Sequence, residues 1–147
     1  MTVPTAPPGS PRHWDNELGG IRWIPRLIDK SRMKLNGTLG AFLCGNSPVD
    51  KALLKRLQLT TDEFVDIVAK NPDDAGVLAA LQAHHWDQAV LQKWSDGFHE
   101  RYATFIKLWQ FDEGYVTCAP WKRPFRKLFH RIEGHVMGAY RKISPAP

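Results

Sequence analysis

The chain has 147 residues, of which 43% are hydrophobic and 24% are charged, with six Trp, seven Phe and a net charge of +5 at pH 7. This is the length of one compact domain with its own core, and so much apolar surface excludes wholesale disorder. No apolar run is long enough to span a bilayer and the N-terminus has no secretory pattern, so we expect a cytoplasmic protein.

The chain begins with a segment that has little to bury. Residues 1–13 are rich in Pro, with Gly, Ser and Thr among them, so we expect a flexible tail. Trp14 follows and should anchor the tail to the core, and Gly19-Gly20 should form a turn. We divide the rest into a helical core over residues 14–114 and a basic C-terminal helical extension over residues 115–147 that packs on it.

The stretch after this turn predicts a helix over residues 25–36. Pro25 suits a first helical turn and Gly37 suits the position after a helix end. At 100° per residue one stripe should face the core, while Arg26 and Asp29 fall on the opposite side and Lys30 lies between the two faces. Asp29 is three residues from both Arg26 and Arg32, so either could be its partner. The predicted core stripe is Ile24, Leu27, Ile28, Ser31 and Leu35.

Three further helix starts carry capping residues. Ser47-Pro48, Thr60-x-x-Glu63 and Asn71-Pro72 each supply a side chain that can cap free N–H groups, followed by Pro or an acid. The apolar residues that follow recur at spacings of three and four. We therefore predict helices over residues 48–57, 61–70 and 72–83.

The longest periodic pattern runs over residues 87–111, with Gly97 as a point where the helix could break. Residues 115–118 could form a short extended segment, and residues 125–141 a last amphipathic helix. The predicted fold is all-α, a compact single-domain bundle of about six helices.

Signatures of common cofactor and metal chemistry are missing from the sequence. There is no P-loop, no G-x-G-x-x-G, no H-E-x-x-H and no G-x-S-x-G. Cys44 and Cys118 are far apart and lack zinc-site spacing, so we interpret them as two buried thiols, with a disulfide left open. We expect neither a cofactor nor a bound metal.

Histidines offer two weaker candidates for acid–base chemistry. His84 and His85 are adjacent, so on a helix they point in different directions and should not share a metal, but burial near Trp86 could shift the pKa of one of them. His130 and Glu133 on the last helix are interpreted as a surface pair.

The positive charge is concentrated near the C-terminus. Residues 119–147 hold seven Lys or Arg and one acid, a net charge of +6, while the other 118 residues hold 13 basic and 14 acidic residues, a net charge of −1. Such a segment could bind nucleic acid or an acidic membrane surface, or could simply dock its apolar stripe on this protein's own core. We favour docking on the core, with nucleic acid possible but not favoured and a homodimer possible.

The tryptophans predict either core packing or an aromatic pocket. Trp94 and Trp109 are 15 residues apart and could share a face near Trp23. In a pocket of this kind Asp29, Arg26 and a histidine would supply the few polar groups that small-molecule sites need.

The stretch RWIPRLIDKSRMKLNGTLG, residues 22–40, resembles the DUF5069 family of small bacterial domains, whose function is unassigned. Members typically show LPRLIDK-x-R followed by a G-x-LG turn, which this chain matches from Pro25 onwards. Weaker similarity extends over residues 18–114. Phe42 stands where an aromatic residue with a hydroxyl group is usual. The resemblance implies that Arg26, Asp29, Lys30 and Arg32 are the polar residues of most interest, with a structural ion-pair network as the alternative.

Two hypotheses follow for the function. The first is a small cofactor-independent enzyme or small-molecule binder with an aromatic pocket, and the second is an interaction module that binds a protein, nucleic acid or acidic surface through its basic last helix. In the first, the candidate catalytic residues are Asp29, Lys30, His84 and His85, and the candidate substrate-binding residues are Arg26, Trp23, Arg32, Trp94 and Trp109.

Overall fold

The computed structural model describes residues 2–115 and, beyond them, residues 128, 132, 139, 140, 142 and 143. Within this part the chain is mainly helical, which confirms the predicted all-α class. No helix in the described part is long and apolar enough to cross a membrane. Its elements are β1 (Glu17–Leu18), β2 (Ile21–Arg22), α1 (Ile24–Leu35), α2 (Pro48–Leu57), α3 (Thr61–Lys70), α4 (Asp74–His84), α5 (Gln88–Asp96), α6 (Phe98–Arg101) and α7 (Ala103–Asp112).

Several predicted features lie outside the described residues. These are Cys118, most of the extended segment expected at 115–118, the pair His130 and Glu133, and nearly all of the basic helix expected over 125–141. Cys44 is buried, as predicted.

Side-chain caps set the starts of α2 and α3 where the sequence predicts them. Ser47 Oγ accepts a hydrogen bond from Asp50 N at 3.1 Å. Thr60 and Glu63 form a reciprocal capping box, in which Thr60 N donates to the Glu63 carboxylate at 2.8 Å. These bonds satisfy amide groups that the helix itself leaves without partners.

The start of α4 differs from the prediction. Asn71 does not cap it, because the Asn71 side chain donates to Ile67 O at 2.8 Å and so completes the end of α3. Asp73 caps α4 instead, accepting from Gly76 N at 2.7 Å. The predicted start at residue 72 is therefore two residues too early.

The long periodic stretch over 87–111 forms three helices rather than one. The first break falls at Gly97, as predicted, and the second at Tyr102. The described part thus contains seven helices, one more than the approximate count expected for the whole chain.

A small β-hairpin, with two residues in each strand, precedes α1 and was not predicted. Leu18 pairs with Ile21 and Glu17 with Arg22 across the Gly19-Gly20 turn, where both glycines have positive φ. Ser95 Oγ accepts a hydrogen bond from Arg22 N at 3.0 Å, which ties the hairpin to α5.

Helix α1 is covered on more than one side. Its predicted core stripe is buried except for Leu35, which is 50% exposed because it lies at the helix end. Arg26 lies opposite this stripe and Lys30 lies between the two faces, and yet each is only 3% exposed. Both charged side chains are enclosed by parts of the chain that are distant in sequence, and this enclosure defines the candidate site.

Candidate functional site

A cavity of about 410 Å³ lies beside the first half of α1. The segment before α2, the start of α2, α7 and Tyr140 supply the rest of its lining. A volume of this size is within the range of small-molecule sites. The lining residues are Trp23, Arg26, Lys30, Ala41, Phe42, Leu43, Ser47, Pro48, Val49, Phe105, Trp109, Asp112, Glu113 and Tyr140.

Aromatic rings form a large part of the cavity wall. The ring centroids of Trp23 and Trp109 are 5.0 Å apart, and Phe105 stacks on Trp109 at 5.9 Å. Trp109 also packs on Trp14, which is buried as predicted. The aromatic rings of the wall are therefore fixed by the core behind them.

Trp23 has an unusual backbone conformation at the start of α1. Its φ is +73°, a left-handed conformation that is rare for a bulky residue and costs of order 1–3 kcal/mol. The indole N–H donates to Asp50 Oδ1 at 2.7 Å. The surrounding contacts therefore hold Trp23 at the cavity against a local backbone cost.

Asp50 is a hydrogen-bonding centre behind the cavity. It is completely buried, and its two oxygens accept from Lys30 Nζ at 2.6 and 2.7 Å. Asp50 Oδ2 also accepts from Gly45 N at 2.9 Å. One carboxylate therefore joins α1, the segment before α2, and α2 itself.

Gly45 is required by this arrangement for two reasons. Its φ is +84°, and a Cβ atom there would lie 2.1 Å from Thr61 Oγ1. A side chain would therefore be strained and would clash with the first residue of α3.

Lys30 is a buried cation whose ammonium also lies 5.0 Å from the ring centroid of Trp23. Burial lowers the pKa of Lys30, because the charged form loses its hydration, and the adjacent Asp50 carboxylate opposes this effect.

Arg26 and Glu113 form a second buried ion pair, in which Arg26 Nη2 donates to Glu113 Oε1. Arg26 Nη1 donates to Arg12 O at 2.9 Å. Arg26 Nε and Glu113 Oε2 are buried and have no hydrogen-bond partner in the described part of the chain. Burial raises the pKa of Glu113, and the charge of Arg26 opposes this effect.

Asp29 and Arg32 lie outside the cavity. The sequence suggests Arg26 or Arg32 as the partner of Asp29, but the structure shows Arg12 in that role. Arg12 Nε and Nη2 each donate to the Asp29 carboxylate at 2.9 Å. Arg12 and Arg32 also both bind Asp74, at 2.5 and 3.0 Å. Asp29 and Arg32 line a separate open depression of about 290 Å³. The end of the expected N-terminal tail is thus bonded to α1 and α4.

The predicted histidines and Trp94 are also placed away from the cavity. His84 Nε2 lies 3.2 Å from Gln58 O, at the exposed end of α4, and His85 follows it. Trp94 is buried in the core, where its Nε1 donates to Tyr102 OH at 3.3 Å. Of the nine candidate site residues, the cavity brings together Trp23, Arg26, Lys30 and Trp109.

Two carboxylates of the site were missed as functional candidates. Asp50 looks in the sequence like an ordinary acid in the first turn of a helix, and Glu113 like part of the polar end of one. The useful signal was the pair of cations on α1, because buried cations require acidic partners. In the described residues no three His, Cys, Asp or Glu side chains form a group that could hold a metal ion.

A comparison with protein families gives one match. The model described as "Domain of unknown function (DUF5069)" matches residues 5–133. The match is longer than the predicted similarity over residues 18–114, and it includes part of the stretch expected to be an added extension. No curated protein and no solved structure matches the chain.

Proposed function

Since the chain belongs to the DUF5069 family, a domain family of unknown function, we propose a function from the cavity itself: the protein binds a small organic molecule between the aromatic rings beside α1. This proposal keeps the small-molecule hypothesis but assigns its polar groups to different residues. Asp29, Arg32 and the two histidines leave the site. Glu113 enters its lining, and Asp50 supports it from behind as the partner of Lys30.

The observation that carries the proposal is the combination of an aromatic wall with two buried ion pairs. Ligand sites are largely apolar and contain a few precisely oriented polar groups. Trp23 and Trp109 supply flat apolar surface, while Arg26 with Glu113 and Lys30 with Asp50 supply the polar groups. Buried ion pairs are weak contributors to stability, so their presence beside a cavity favours a functional role.

The cations need not select an anionic ligand. Arg26 and Lys30 each already have a carboxylate partner, so a ligand does not have to neutralise them. Their role in this proposal is to keep the polar end of the cavity rigid. If the protein is an enzyme, Glu113 is the best candidate for proton transfer, because its carboxyl group lies in the cavity wall and burial raises its pKa.

The strained backbone of Trp23 supports the same proposal. Non-glycine residues with positive φ cluster at binding and catalytic sites, where the surrounding contacts hold them in place. Trp23 meets this description, with φ of +73° and its indole N–H bonded to Asp50.

A thermal-shift screen against a metabolite library tests the proposal. A ligand at 100 times its Kd adds about 2.7 kcal/mol to stability, which for a chain of this size raises Tm by roughly 8 °C. Ala41→Trp should fill the cavity and abolish the shift. Leu108→Ala on the exposed face of α7 is the matched control and should keep it. The proposal fails if no compound stabilises the wild type, or if Ala41→Trp responds equally.

The charge distribution of the chain supports a second candidate function. Residues 119–147 carry a net charge of +6, which favours an interaction module for nucleic acid, an acidic protein or an acidic surface. Binding of nucleic acid should weaken steeply as salt is raised and should be lost on deletion of residues 119–147. If no nucleic acid binds at low salt, a nucleic-acid-binding function is excluded. A cytoplasmic location and a homodimer remain predictions from the sequence alone.

A further inference from the structure

Three charged residues of the cavity lining expose almost none of their surface. Arg26 and Lys30 are each 3% exposed, and Glu113 is 9% exposed. Their charges are also paired within the protein, Arg26 with Glu113 and Lys30 with the buried Asp50. A molecule in the cavity therefore meets little of these side chains, and the charges of the two pairs cancel.

The more exposed part of the described lining is mainly apolar. Ser47 and Asp112 are the polar residues in it. Ser47 Oγ already accepts a hydrogen bond from Asp50 N at 3.1 Å, and Asp112 interacts with other groups of the protein. Most of the surface that a bound molecule can contact therefore comes from apolar and aromatic side chains. These are Ala41, Phe42, Pro48, Phe105, Trp109 and Tyr140.

This lining favours a ligand without charge. An ion that enters the cavity gives up hydration, and its burial is costly unless a partner of opposite charge compensates it. The described cations Arg26 and Lys30 already have carboxylate partners, so an anion finds little compensation there. A cation finds little at Glu113 for the same reason. A neutral molecule of the same size avoids this cost.

The rings of the lining favour an aromatic ligand. Aromatic pairs prefer offset-stacked or edge-to-face arrangements and gain free energy beyond that of apolar burial. Phe105 and Trp109 already form such a pair, with planes 23° apart, and the ring centroid of Trp23 lies 5.0 Å from that of Trp109. Phe105 is 40% exposed, so this cluster has surface left for another ring.

We propose that the cavity binds an uncharged aromatic molecule and discriminates against ions of the same size and shape. This inference rests on the proposed small-molecule function and names the ligand class. The rings of the lining supply the affinity. The two ion pairs satisfy their own charges and so leave an ionic ligand without a partner.

Three naphthalene probes of similar size test the charge preference by isothermal titration calorimetry on the full chain at pH 8. They are 2-naphthalenemethanol, which is neutral, 2-naphthoate, which is an anion, and 2-naphthylmethylammonium, which is a cation. We expect the alcohol to bind at least about tenfold more tightly than either ion, because each ion loses hydration without gaining a partner.

Glu113→Gln connects this preference to the ion pairs. The variant keeps the shape of the side chain but removes the charge that neutralises Arg26, so the affinity of 2-naphthoate relative to the alcohol should rise by about fivefold or more. Glu100→Gln makes the same change at an exposed position of α6 outside the described lining and should leave this ratio within about twofold. Should Glu113→Gln fail to fold, the three probes on the wild type still decide the charge preference.

Phe105→Leu tests the aromatic preference with 2-naphthalenemethanol and its saturated counterpart, decahydronaphthalene-2-methanol. The substitution removes a ring and keeps an apolar side chain, so the affinity ratio of the aromatic to the saturated probe should fall at least about twofold from its wild-type value. Phe111→Leu makes the same change on α7 outside the described lining and should keep the wild-type ratio.

The outcomes separate this inference from the function on which it rests. The inference fails if either ion binds as tightly as the alcohol, if a folded Glu113→Gln leaves the charge preference unchanged, or if Phe105→Leu and Phe111→Leu give the same ratio. If probe binding is nonetheless blocked in Ala41→Trp, the small-molecule function stands without it. No binding of any probe would also overturn the inference, and the metabolite screen then judges the small-molecule function alone.

Discussion

Replacing Asp50 with Asn should leave Lys30 as a buried cation without a counterion. Asn has almost the same shape and can still accept one of the bonds from Trp23 and Gly45, so the loss falls mainly on Lys30. Lys30 is 3% exposed and both its hydrogen bonds to Asp50 are shorter than 2.8 Å. Removal of one partner of such a pair costs about 3–5 kcal/mol. At roughly 3 °C per kcal/mol, Tm should fall by about 9–15 °C.

Urea unfolding at pH 7, followed by far-UV circular dichroism, measures this cost. Lys30→Met removes the stranded cation, so the double variant Lys30→Met/Asp50→Asn should recover at least half of the lost stability. Asp66→Asn makes the same chemical change at an exposed position of α3 and should stay within about 0.5 kcal/mol of the wild type. A cost below about 1 kcal/mol for Asp50→Asn, or no recovery in the double variant, would refute a tightly coupled buried pair.

Three further predictions concern a glycine and two titrating groups. In urea unfolding, Gly45→Ala should lower the free energy of unfolding by at least about 2 kcal/mol more than Gly37→Ala does. Both glycines have positive φ, but only at Gly45 would a Cβ atom clash with Thr61. Equal losses of stability in the two variants would contradict the clash. Burial raises the pKa of Glu113 above its ordinary 4.5, so the folded state holds a proton that the unfolded state has released, and wild-type stability falls as pH rises from 4.5 through the folded pKa. Glu113→Gln lacks this dependence, so the difference in unfolding free energy should shift in favour of the variant as pH rises, and a constant difference would count against the raised pKa. Burial lowers the pKa of His13 below 6.5, so the unfolded state gains a proton first and stability is lost as pH falls below 6.5; His13→Phe should remove this loss, and an unchanged pH profile would exclude His13 as its source.

Local signals were enough to predict α2 and α3. Ser47 and Thr60 each bond to an amide three residues later, and this interaction depends only on neighbouring residues. The start of α4 could not be predicted in the same way, because Asn71 and Asp73 are both good caps. The choice between them depends on Asn71 finding a partner in the last turn of α3.

Helical periodicity was a poor guide to the charged residues of α1. A helical projection assumes one buried face, but α1 is covered by the hairpin and α3 and also by the elements around the cavity. Arg26 meets its partner Glu113 across 87 positions of sequence and Lys30 meets Asp50 across 20. No local pattern reports contacts of that range. The sequence could indicate that Arg26 and Lys30 were of interest, but not that both are buried.

Aromatic content was a better guide to the wall of the cavity than charge spacing was to its polar residues. Of Trp94 and Trp109, which were expected to share a face near Trp23, only Trp109 lies beside Trp23 in the cavity wall. Trp94 lies in the core, where Phe98 contacts both it and Trp23. Asp29 was a reasonable candidate because of its neighbours at spacings of three. Its true partner, Arg12, comes from the segment expected to be a flexible tail, and composition alone gave no sign that this residue is bonded to the core.

The single carboxylate of Asp50 also constrains how this sequence can change over time. Trp23, Lys30 and Gly45 all depend on it, so a substitution at position 30 or 50 alone passes through a protein that is several kcal/mol less stable. A lineage can leave this arrangement only by changing both positions together or after acquiring stability elsewhere. Among descendants of this sequence, positions 30 and 50 should therefore vary as a pair, and the shape of one cavity wall should be inherited with them.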